Sequence, residues 1–379
     1  MRDQHHAARP LTVVQIATSL DGWGGLEIHL LNLADQLRAR GHRVVVAGQP
    51  GRFVLARAQE MGLETFEATV RRQSDWTDLG RLRDFLRREG VDVVHAHKNE
   101  DALVPALAAR LAGVPVSVMT SHLPFPFKRR VRGNLILALL HRCLITVSES
   151  LRDLHVRHGV SPRRIETIHH GTDTDAFRAV SRDAHAVRCS LGLASDDLAV
   201  GIVGRVAPEK GHRDLFQSLR LLADRHPCVR AVVVGDGPDL VDLRREATTG
   251  GLAGRVVFTG FRDDVHNVIN ALDVIAVPSV WPESCSAVIQ QGMALAKPVV
   301  GSRTGGTPEM ILDGETGFLV PPSDPVALAD ALARLADAPE LRRRMGEAGR
   351  ARVDAHFTLR GMTDAVESLY RRELGKATR

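Results

Sequence analysis

Short runs of Val, Ile, Leu and Ala alternate along the chain with segments whose apolar residues recur at helical spacing. The runs in the first half are Leu11–Thr18, Arg43–Ala47, Asp92–Ala96, Val116–Thr120, Leu144–Val147 and Arg164–His169. Those in the second half are Ala199–Arg205, Arg230–Gly235, Val256–Gly260, Val274–Val277 and Pro298–Gly301. Near-continuous apolar runs of this length are typical of parallel strands covered by helices on both faces. The pattern therefore predicts an α/β protein built from βαβ units.

Helices are predicted between these runs. In the first half Leu26, Leu30, Leu33, Ala34 and Leu37 share one face of a helix from Gly25 to about Arg40, and Gly41 closes it. The helices predicted in the second half are Gly211–Asp224, Asp239–Thr248, Asp263–Ala271, Ser284–Ala296, Pro308–Leu312 and Pro325–Ala336. A last helix, from about Leu359 to Leu374, has no evident strand partner in the sequence.

The length of 379 residues suggests two domains, at roughly 150 residues each. Periodicity is weak between the two series of strands. We therefore predict a first Rossmann-like domain at 1–178, a linker at 179–197, a second domain at 198–356 and a C-terminal helix at 357–379.

Charge and cysteine usage narrow the class of protein. The formal charge is +5 and the pI about 9.4, which favours anionic partners. The basic residues are dispersed and only 4% of residues are aromatic, so a nucleic-acid partner is not expected. The four cysteines form no CxxC pair, which indicates reduced thiols rather than a zinc or disulfide framework.

The first ten residues lack the apolar segment of a signal peptide, and no apolar run reaches the ~18 residues of a membrane-spanning helix. We expect a cytoplasmic protein.

Two glycine-containing loops follow predicted strands. Gly22, Gly24 and Gly25 lie before the first helix, where free N–H groups favour a phosphate, although a tight turn explains them equally well. Arg205 and Lys210 lie in a loop at the carboxyl edge of the second sheet, where ligands of open α/β sheets bind. Two cations there could hold two phosphates and stabilise a departing diphosphate. The alternative is a solvated surface pair.

Two further segments precede helices in the second half. Glu283 stands before Ser284, Cys285 and Ser286, whose amides could meet a diphosphate. Its carboxylate could bind sugar hydroxyls or simply favour the helix start. Gln291 lies eight positions later, which on one helix would be two turns onward. The turn Gly305-Gly306-Thr307-Pro308-Glu309 opens a Pro-started helix.

Histidines and one acidic triplet complete the set of candidates. His122 stands at a strand end, where catalytic loops lie. His95 and His97 are expected on opposite faces of their strand and so are not expected to form a metal site. Asp173-Thr174-Asp175 has the DxD pattern of metal-dependent sugar transferases but no nucleotide turn beside it. We interpret it as a turn or helix cap, and we expect no metal.

In this order and spacing, the motifs resemble glycosyltransferase family 4, the retaining family with the GT-B fold. The resemblance extends over nearly the whole chain. Its segments are 24–27, 147–150, 170–177, 204–211, 234–238, 258–260 and, most densely, 278–322. It implies two Rossmann-like domains facing across a cleft, with the C-terminal helix returning to the first. It also implies transfer of a sugar from a nucleoside-diphosphate sugar, with UDP as the expected nucleotide, no metal and no further cofactor.

The resemblance assigns roles to particular positions. Arg205 and Lys210 would hold the pyrophosphate, with Gly24 and Gly25 meeting it from the first domain, and Glu283 would contact the transferred sugar. His122 would assist transfer near the anomeric carbon. The other donor-binding positions implied are Gly260, Ser284, Cys285, Ser286, Gln291 and Glu309. Gln291 replaces the usual second glutamate, which binds the ribose, and so loses a charge that strengthens such a bond.

The acceptor is expected to be a glycan, a lipid-linked sugar or a small molecule, in cell-envelope polysaccharide or glycoconjugate synthesis. The apolar and basic segment Phe125–Arg132 could touch an anionic membrane, or could pack on its own domain. A nucleotide-sugar epimerase of the same architecture remains an alternative. A nicotinamide dehydrogenase is disfavoured, because neither glycine loop has the GxGxxG spacing.

Overall fold

The computed structural model describes residues 9–18, 24–68, 76–123, 130–179 and 183–377. The chain divides into two compact units, Met1–His169 with Leu359–Arg379 and His170–Thr358. Each unit is built on one parallel sheet with helices packed against it, as the alternating pattern predicted. None of the described helices is both long and apolar enough to span a bilayer.

The first unit contains a seven-stranded parallel sheet in the order β3-β2-β1-β4-β5-β6-β7. Its strands are β1 (Thr12–Ile16), β2 (Arg43–Gly48), β3 (Glu64–Glu67), β4 (Val93–Ala96), β5 (Val116–Ser121), β6 (Cys143–Thr146) and β7 (Ile165–Thr167). Its helices are α1 (Gly25–Ala39), α2 (Phe53–Glu60), α3 (Leu79–Arg88), α4 (Val104–Ala112), α5 (Arg130–Leu140) and α6 (Glu149–Arg157). As predicted, Gly41 ends the first helix in a left-handed conformation, at φ +86°.

The second unit contains a six-stranded parallel sheet in the order β10-β9-β8-β11-β12-β13. Its strands are β8 (Leu198–Val203), β9 (Val229–Val234), β10 (Val256–Gly260), β11 (Val274–Val277), β12 (Val299–Ser302) and β13 (Gly317–Val320). Its helices are α7 (Thr174–Arg178), α8 (Ala184–Ser190), α9 (His212–Leu221), α10 (Leu240–Thr249), α11 (Val265–Ala271), α12 (Ala287–Ala294), α13 (Thr307–Met310), α14 (Pro325–Asp337) and α15 (Pro339–His356).

The C-terminal helix α16 (Leu359–Ala377) belongs to the first unit. Its buried residues Leu359, Met362, Val366, Leu369 and Tyr370 recur at helical spacing and join the core under α1. Val13 of β1 faces this same core, whereas Val14 and Ile16 face α3 and α4 on the other side of the sheet. The helix therefore covers one face of the first sheet.

The observed division corrects part of the predicted domain organisation. Residues 170–178, assigned from the sequence to the first domain, lie in the second unit. The predicted linker at 179–197 contains α8, which begins with the side chain of Asp183 accepting from the Ala186 amide and packs with α11 in the second unit. The strands β3 and β13 and the long helix α15 had not been predicted.

The side chain of Asp173, the first residue of the DxD triplet, accepts a hydrogen bond from the Ala176 amide at 3.0 Å and caps α7. This confirms the interpretation of the triplet as a helix cap.

Three buried histidines are expected to make the fold sensitive to acid. Burial lowers the pKa of His141, His155 and His212 to about 4. In the unfolded chain their pKa is about 6.5, so between pH 6.5 and 4 the unfolded state binds protons that the folded state does not. The free energy of unfolding should therefore fall by about 1.4 kcal/mol per pH unit for each histidine as the pH drops through this range.

The test is urea denaturation of wild type and His155→Gln at about pH 7 and about pH 5. A glutamine can keep a hydrogen bond to Ser121, which His155 contacts at 2.9 Å. The variant should lose about 2 kcal/mol less than wild type between the two conditions. The same change at exposed His185 is the control. Equal losses in wild type and His155→Gln would contradict the expectation.

Candidate functional site

The strand order of the second sheet reverses between β8 and β11, and the candidate residues lie in the loops that follow these strands. In open α/β sheets the carboxyl ends of the strands beside such a reversal form the ligand crevice. The loop after β8 holds Arg205 and Lys210, and the loop after β11 holds Glu283. The Val280 amide donates to the Glu209 carbonyl at 3.0 Å and joins the two loops.

Lys210 and Glu283 form an ion pair. The Lys210 Nζ lies 2.6 Å from the Glu283 Oε1, and their side chains are 31% and 15% exposed. The buried Ser279 donates its hydroxyl to the same oxygen at 2.7 Å. The residue predicted to hold a phosphate and the residue predicted to contact a sugar, 73 positions apart, are thus direct partners.

Arg205 has a different environment. Its side chain is 65% exposed and pairs with Glu209, one turn further along the same loop. An exposed ion pair of this kind contributes little to stability. Exchanging the Glu209 carboxylate for another anion would therefore cost little free energy.

Two glycines make the turn after Lys210 and the turn beside Glu283 possible. Gly211 has φ +73°, and a Cβ placed there would lie 1.8 Å from the Pro278 carbonyl oxygen. Gly305 has φ +57°, and its Cβ would lie 2.1 Å from the Glu283 carbonyl oxygen. The Gly306 amide donates to that oxygen at 2.6 Å. The backbone on both sides of the ion pair is therefore fixed by contacts that only glycine permits.

The segment after Glu283 differs from its prediction. The helix α12 begins at Ala287, so Glu283 lies outside it. The predicted spacing of two helical turns between Glu283 and Gln291 therefore does not apply. Gln291 is half-buried on α12. The Ser284 hydroxyl oxygen is buried and, among the described residues, has no hydrogen-bond partner. A buried hydroxyl without a protein partner is what a polar ligand could satisfy.

Gln290 is a structural residue that was not predicted from the sequence. It is fully buried, its Nε2 donates to the His170 carbonyl at 2.8 Å, and its Oε1 accepts from the Thr172 hydroxyl at 3.0 Å. It anchors the segment 170–172, which resembles a family motif. In the sequence, the only signal for Gln290 is its position next to Gln291.

The structure also places Gly260, Glu309 and Cys285, three further candidates of the second unit. Gly260 ends the edge strand β10, two strands from β8. Glu309 lies in α13, where its backbone carbonyl accepts from Arg352 at 2.7 Å. The thiol of Cys285 accepts from Gln290 at 3.5 Å, and burial raises its pKa to about 12.

In the first unit the glycine turn is described only from Gly24 onward, since residues 19–23 lie outside the described part of the chain. Gly24 is the extended residue before α1, and Gly25 is the first residue of that helix. A Cβ at Gly24 would lie 2.6 Å from a carboxylate oxygen of Glu27. The helix N-terminus predicted to meet a phosphate thus already has an anionic neighbour.

Three histidines of the first unit lie close together. The strand order of its sheet reverses between β1 and β4. His122 follows β5, and its Nε2 lies 3.2 Å from the Nδ1 of His97, which follows β4. His29 of α1 lies against both, with ring centroids 4.9 Å from His122 and 5.7 Å from His97. All three side chains are buried.

The placement of His95 and His97 corrects the sequence analysis. Residues two apart on a strand point to the same face, and the two rings lie 4.1 Å apart. His95 contacts the Tyr370 hydroxyl through Nδ1 and the Thr120 hydroxyl through Nε2, at 2.6 Å each. Burial holds the pKa of His95 well below its ordinary value, so this ring is neutral.

Two family models match the chain, one in each half. The family model described as "Glycosyl transferases group 1" matches residues 185–352, and the one described as "Glycosyltransferase Family 4" matches residues 23–176. D-inositol 3-phosphate glycosyltransferase of Mycobacterium tuberculosis is 30% identical over 93% of this chain and 80% of its own length.

Solved structures share the fold. Anabaena HepE in complex with UDP has a TM-score of 0.86 at 22% identity, covering 96% of this chain and all of its own. A glycosyltransferase from Rickettsia africae has a TM-score of 0.86 at 20% identity, covering 97% of this chain and 99% of its own.

The two Rossmann-like units and these matches define a glycosyltransferase of the GT-B fold. More narrowly, the chain belongs to family 4 of the glycosyltransferases, as the order of its motifs indicated.

Proposed function

We propose that the chain is a retaining, metal-independent glycosyltransferase that uses a nucleoside-diphosphate sugar, with UDP as the expected nucleotide. The ion pair between Lys210 and Glu283 at the reversal point of the second sheet carries this proposal. Anabaena HepE binds UDP and UDP-glucose, which supports a uridine nucleotide.

The ion pair suggests how a donor would be held. A diphosphate brings more negative charge than one carboxylate, so it would take over Lys210 and release the Glu283 oxygens to accept hydrogen bonds from sugar hydroxyls. The exposed Arg205 would exchange Glu209 for the second phosphate. The Ser284 hydroxyl, which has no hydrogen-bond partner in the described part of the chain, would gain a ligand oxygen. Of the remaining candidates, Gln291 would bind the ribose. The donor contacts predicted for Gly260 and Glu309 stay predictions.

These cations would also promote the reaction. The bond between the anomeric carbon and the phosphate oxygen breaks with its electron pair going to the diphosphate, whose added charge Arg205 and Lys210 neutralise. The acceptor oxygen bonds to the same face of that carbon and gives its proton to the departing phosphate. No divalent ion is required for charge neutralisation in this scheme, and His122 is proposed to assist it.

The acceptor is proposed to be a hydroxyl of a glycan, a lipid-linked sugar or a small molecule. The proposed membrane contact through Phe125–Arg132 falls largely on residues 124–129, outside the described part of the chain. Binding of the full chain to anionic vesicles tests it.

Donor binding is tested first, by thermal shift with UDP-, GDP- and ADP-sugars. A nucleotide sugar at ~100 times its Kd should stabilise the chain by about 2.7 kcal/mol. Gln291→Glu is the matched variant, expected to keep the fold and to bind the donor at least as tightly. If no nucleotide sugar raises the melting temperature, the proposal is wrong.

Transfer is tested next, with EDTA present and with acceptors that include D-inositol 3-phosphate, the compound in the mycobacterial relative's name. The product should keep the anomeric configuration of the donor, read by NMR. Inverted product or loss of activity in EDTA contradicts the corresponding part of the proposal. Turnover of the donor without any acceptor would favour an epimerase.

A further inference from the structure

The three clustered histidines of the first unit come from three separate elements. His29 lies on α1, His97 follows β4 and His122 follows β5. Their side chains are buried, and each offers a ring nitrogen within 4.8 Å of the others. Three imidazoles that converge in a buried position are the ligand set of a common class of metal site.

The distance between two of these nitrogens fits such a site. In a tetrahedral zinc centre with Zn–N bonds of about 2.0–2.1 Å, neighbouring ligand nitrogens lie about 3.3–3.4 Å apart. The His97 Nδ1 and His122 Nε2 are 3.2 Å apart. A small rotation of either ring would bring this pair to the geometry of two ligands of one ion.

A second observation concerns the far side of His97. Its Nε2 lies 2.6 Å from the Gln15 Oε1, and the Gln15 Nε2 donates to the Tyr370 hydroxyl at 3.2 Å. The Tyr370 hydroxyl also lies 2.6 Å from the Nδ1 of His95. Gln15 therefore presents its oxygen to His97, so His97 carries its proton on Nε2 and its lone pair on Nδ1.

This arrangement matches the support that metal-bound histidines have. A ligating imidazole usually donates its other ring N–H to a carbonyl or carboxylate oxygen, which fixes the tautomer and the ring orientation. Gln15 provides such an oxygen and is itself fully buried. The lone pair of His97 is thus oriented toward His122 before any ion binds.

The ligand set selects the kind of ion. Neutral imidazoles without a carboxylate suit Zn²⁺ and the neighbouring Co²⁺, Ni²⁺ and Cu²⁺, whereas Mg²⁺ and Ca²⁺ prefer oxygen ligands. We propose that His29, His97 and His122 bind one zinc-class cation, and that the bound ion inhibits sugar transfer by occupying the Nε2 of His122. On binding, the proton of His122 moves from Nε2 to Nδ1. The inhibitory part rests on the proposed function.

Binding is tested on the full chain after removal of metal with a chelator. Co²⁺ should bind with a stoichiometry of one and give the visible absorption of a tetrahedral ion, and Zn²⁺ should displace it. His29→Gln and His97→Gln should each weaken binding at least ~10-fold, the effect expected when a metal site is disrupted. X-ray absorption of Zn²⁺-loaded wild type should show three imidazole ligands, a readout that does not depend on whether the variants fold.

The control removes a second place on the described chain where zinc could bind adventitiously. The exposed Cys189 Sγ lies 3.6 Å from the Nε2 of His185, one turn earlier on α8. His185→Ala should leave the stoichiometry and the absorption unchanged. If this variant abolishes binding, or if His29→Gln and His97→Gln bind the ion as wild type does, the site is overturned.

Inhibition is measured separately, each protein being compared with its own metal-free rate. Zn²⁺ should inhibit wild type and His185→Ala alike, and His29→Gln should need at least ~10-fold more. One ion bound through these histidines with no effect on transfer overturns the inhibitory role. Because Co²⁺ absorption needs no turnover, an absence of transferase activity would count against the proposed function and not against the metal site.

Discussion

Replacing Lys210 with alanine is expected to lower kcat/KM for the donor by at least about 30-fold, or ~2 kcal/mol. The change removes a cation that would neutralise the departing diphosphate. It also leaves the Glu283 carboxylate, whose side chain is 15% exposed, without its ionic partner and facing an incoming anion. Both effects act against donor binding and transfer, so the loss should exceed that of an ordinary surface charge.

Arg213→Ala is the matched control for this experiment. Arg213 lies three residues further along the same segment and pairs with Asp239 at 2.8 Å. Arg213 is not a candidate donor contact, so losing this pair should leave kcat/KM within about 3-fold of wild type. Arg205→Ala should behave like Lys210→Ala. Near-normal kcat/KM in both Arg205→Ala and Lys210→Ala would contradict the assigned role of the loop after β8.

A double-mutant cycle separates the two roles of Lys210. If the lysine acted only by holding Glu283 in place, Lys210→Ala should add nothing once Glu283→Ala is present. If it also binds the diphosphate, the double variant should be clearly slower than Glu283→Ala alone. Donor kinetics of the two single variants and the double variant, checked for folding by far-UV circular dichroism, decide between these outcomes.

The inner strands of the second sheet could be predicted from the sequence because they are buried on both faces. Burial on both faces turns a strand into a continuous apolar run, and β11, whose four residues are all buried, has the predicted boundaries. By contrast β3 has the sequence Glu-Thr-Phe-Glu at the edge of its sheet, so it lacks such a run. In β13 the short apolar run had been interpreted only as part of a family motif.

The candidate site was predictable as a set of residues but not as a set of contacts. Lys210 and Glu283 were chosen for their positions at the ends of strands, and nothing local to either one indicates that they meet. Their contact depends on β8 and β11 being neighbours, which is a property of the strand order. The histidine cluster was missed for a simpler reason. His95 and His97 had been placed on opposite faces, although a separation of two along a strand gives the same face.

Replacing Gly211 with alanine is expected to destabilise the chain by about 3 kcal/mol or more. The residue has φ +73°, which for a side chain larger than hydrogen costs about 1–3 kcal/mol. In addition the new Cβ would lie 1.8 Å from the Pro278 carbonyl oxygen. Since neither atom is at the end of a flexible side chain, the backbone must move, at a cost of about 1–3 kcal/mol more.

That movement should also impair the site. Pro278 begins the segment that leads to Glu283, and Gly211 directly follows Lys210, so relieving the clash would push the two partners of the ion pair apart. Gly251→Ala is the matched control, because Gly251 has φ +75° but no described residue lies within 4 Å of the Cβ that alanine would add. We expect it to lose only the smaller, conformational part of the stability and to keep its kcat/KM. Urea denaturation and donor kinetics of the two variants give the comparison. If Gly211→Ala is no less stable and no slower than Gly251→Ala, the close contact between the turn after Lys210 and Pro278 does not fix the position of the ion pair.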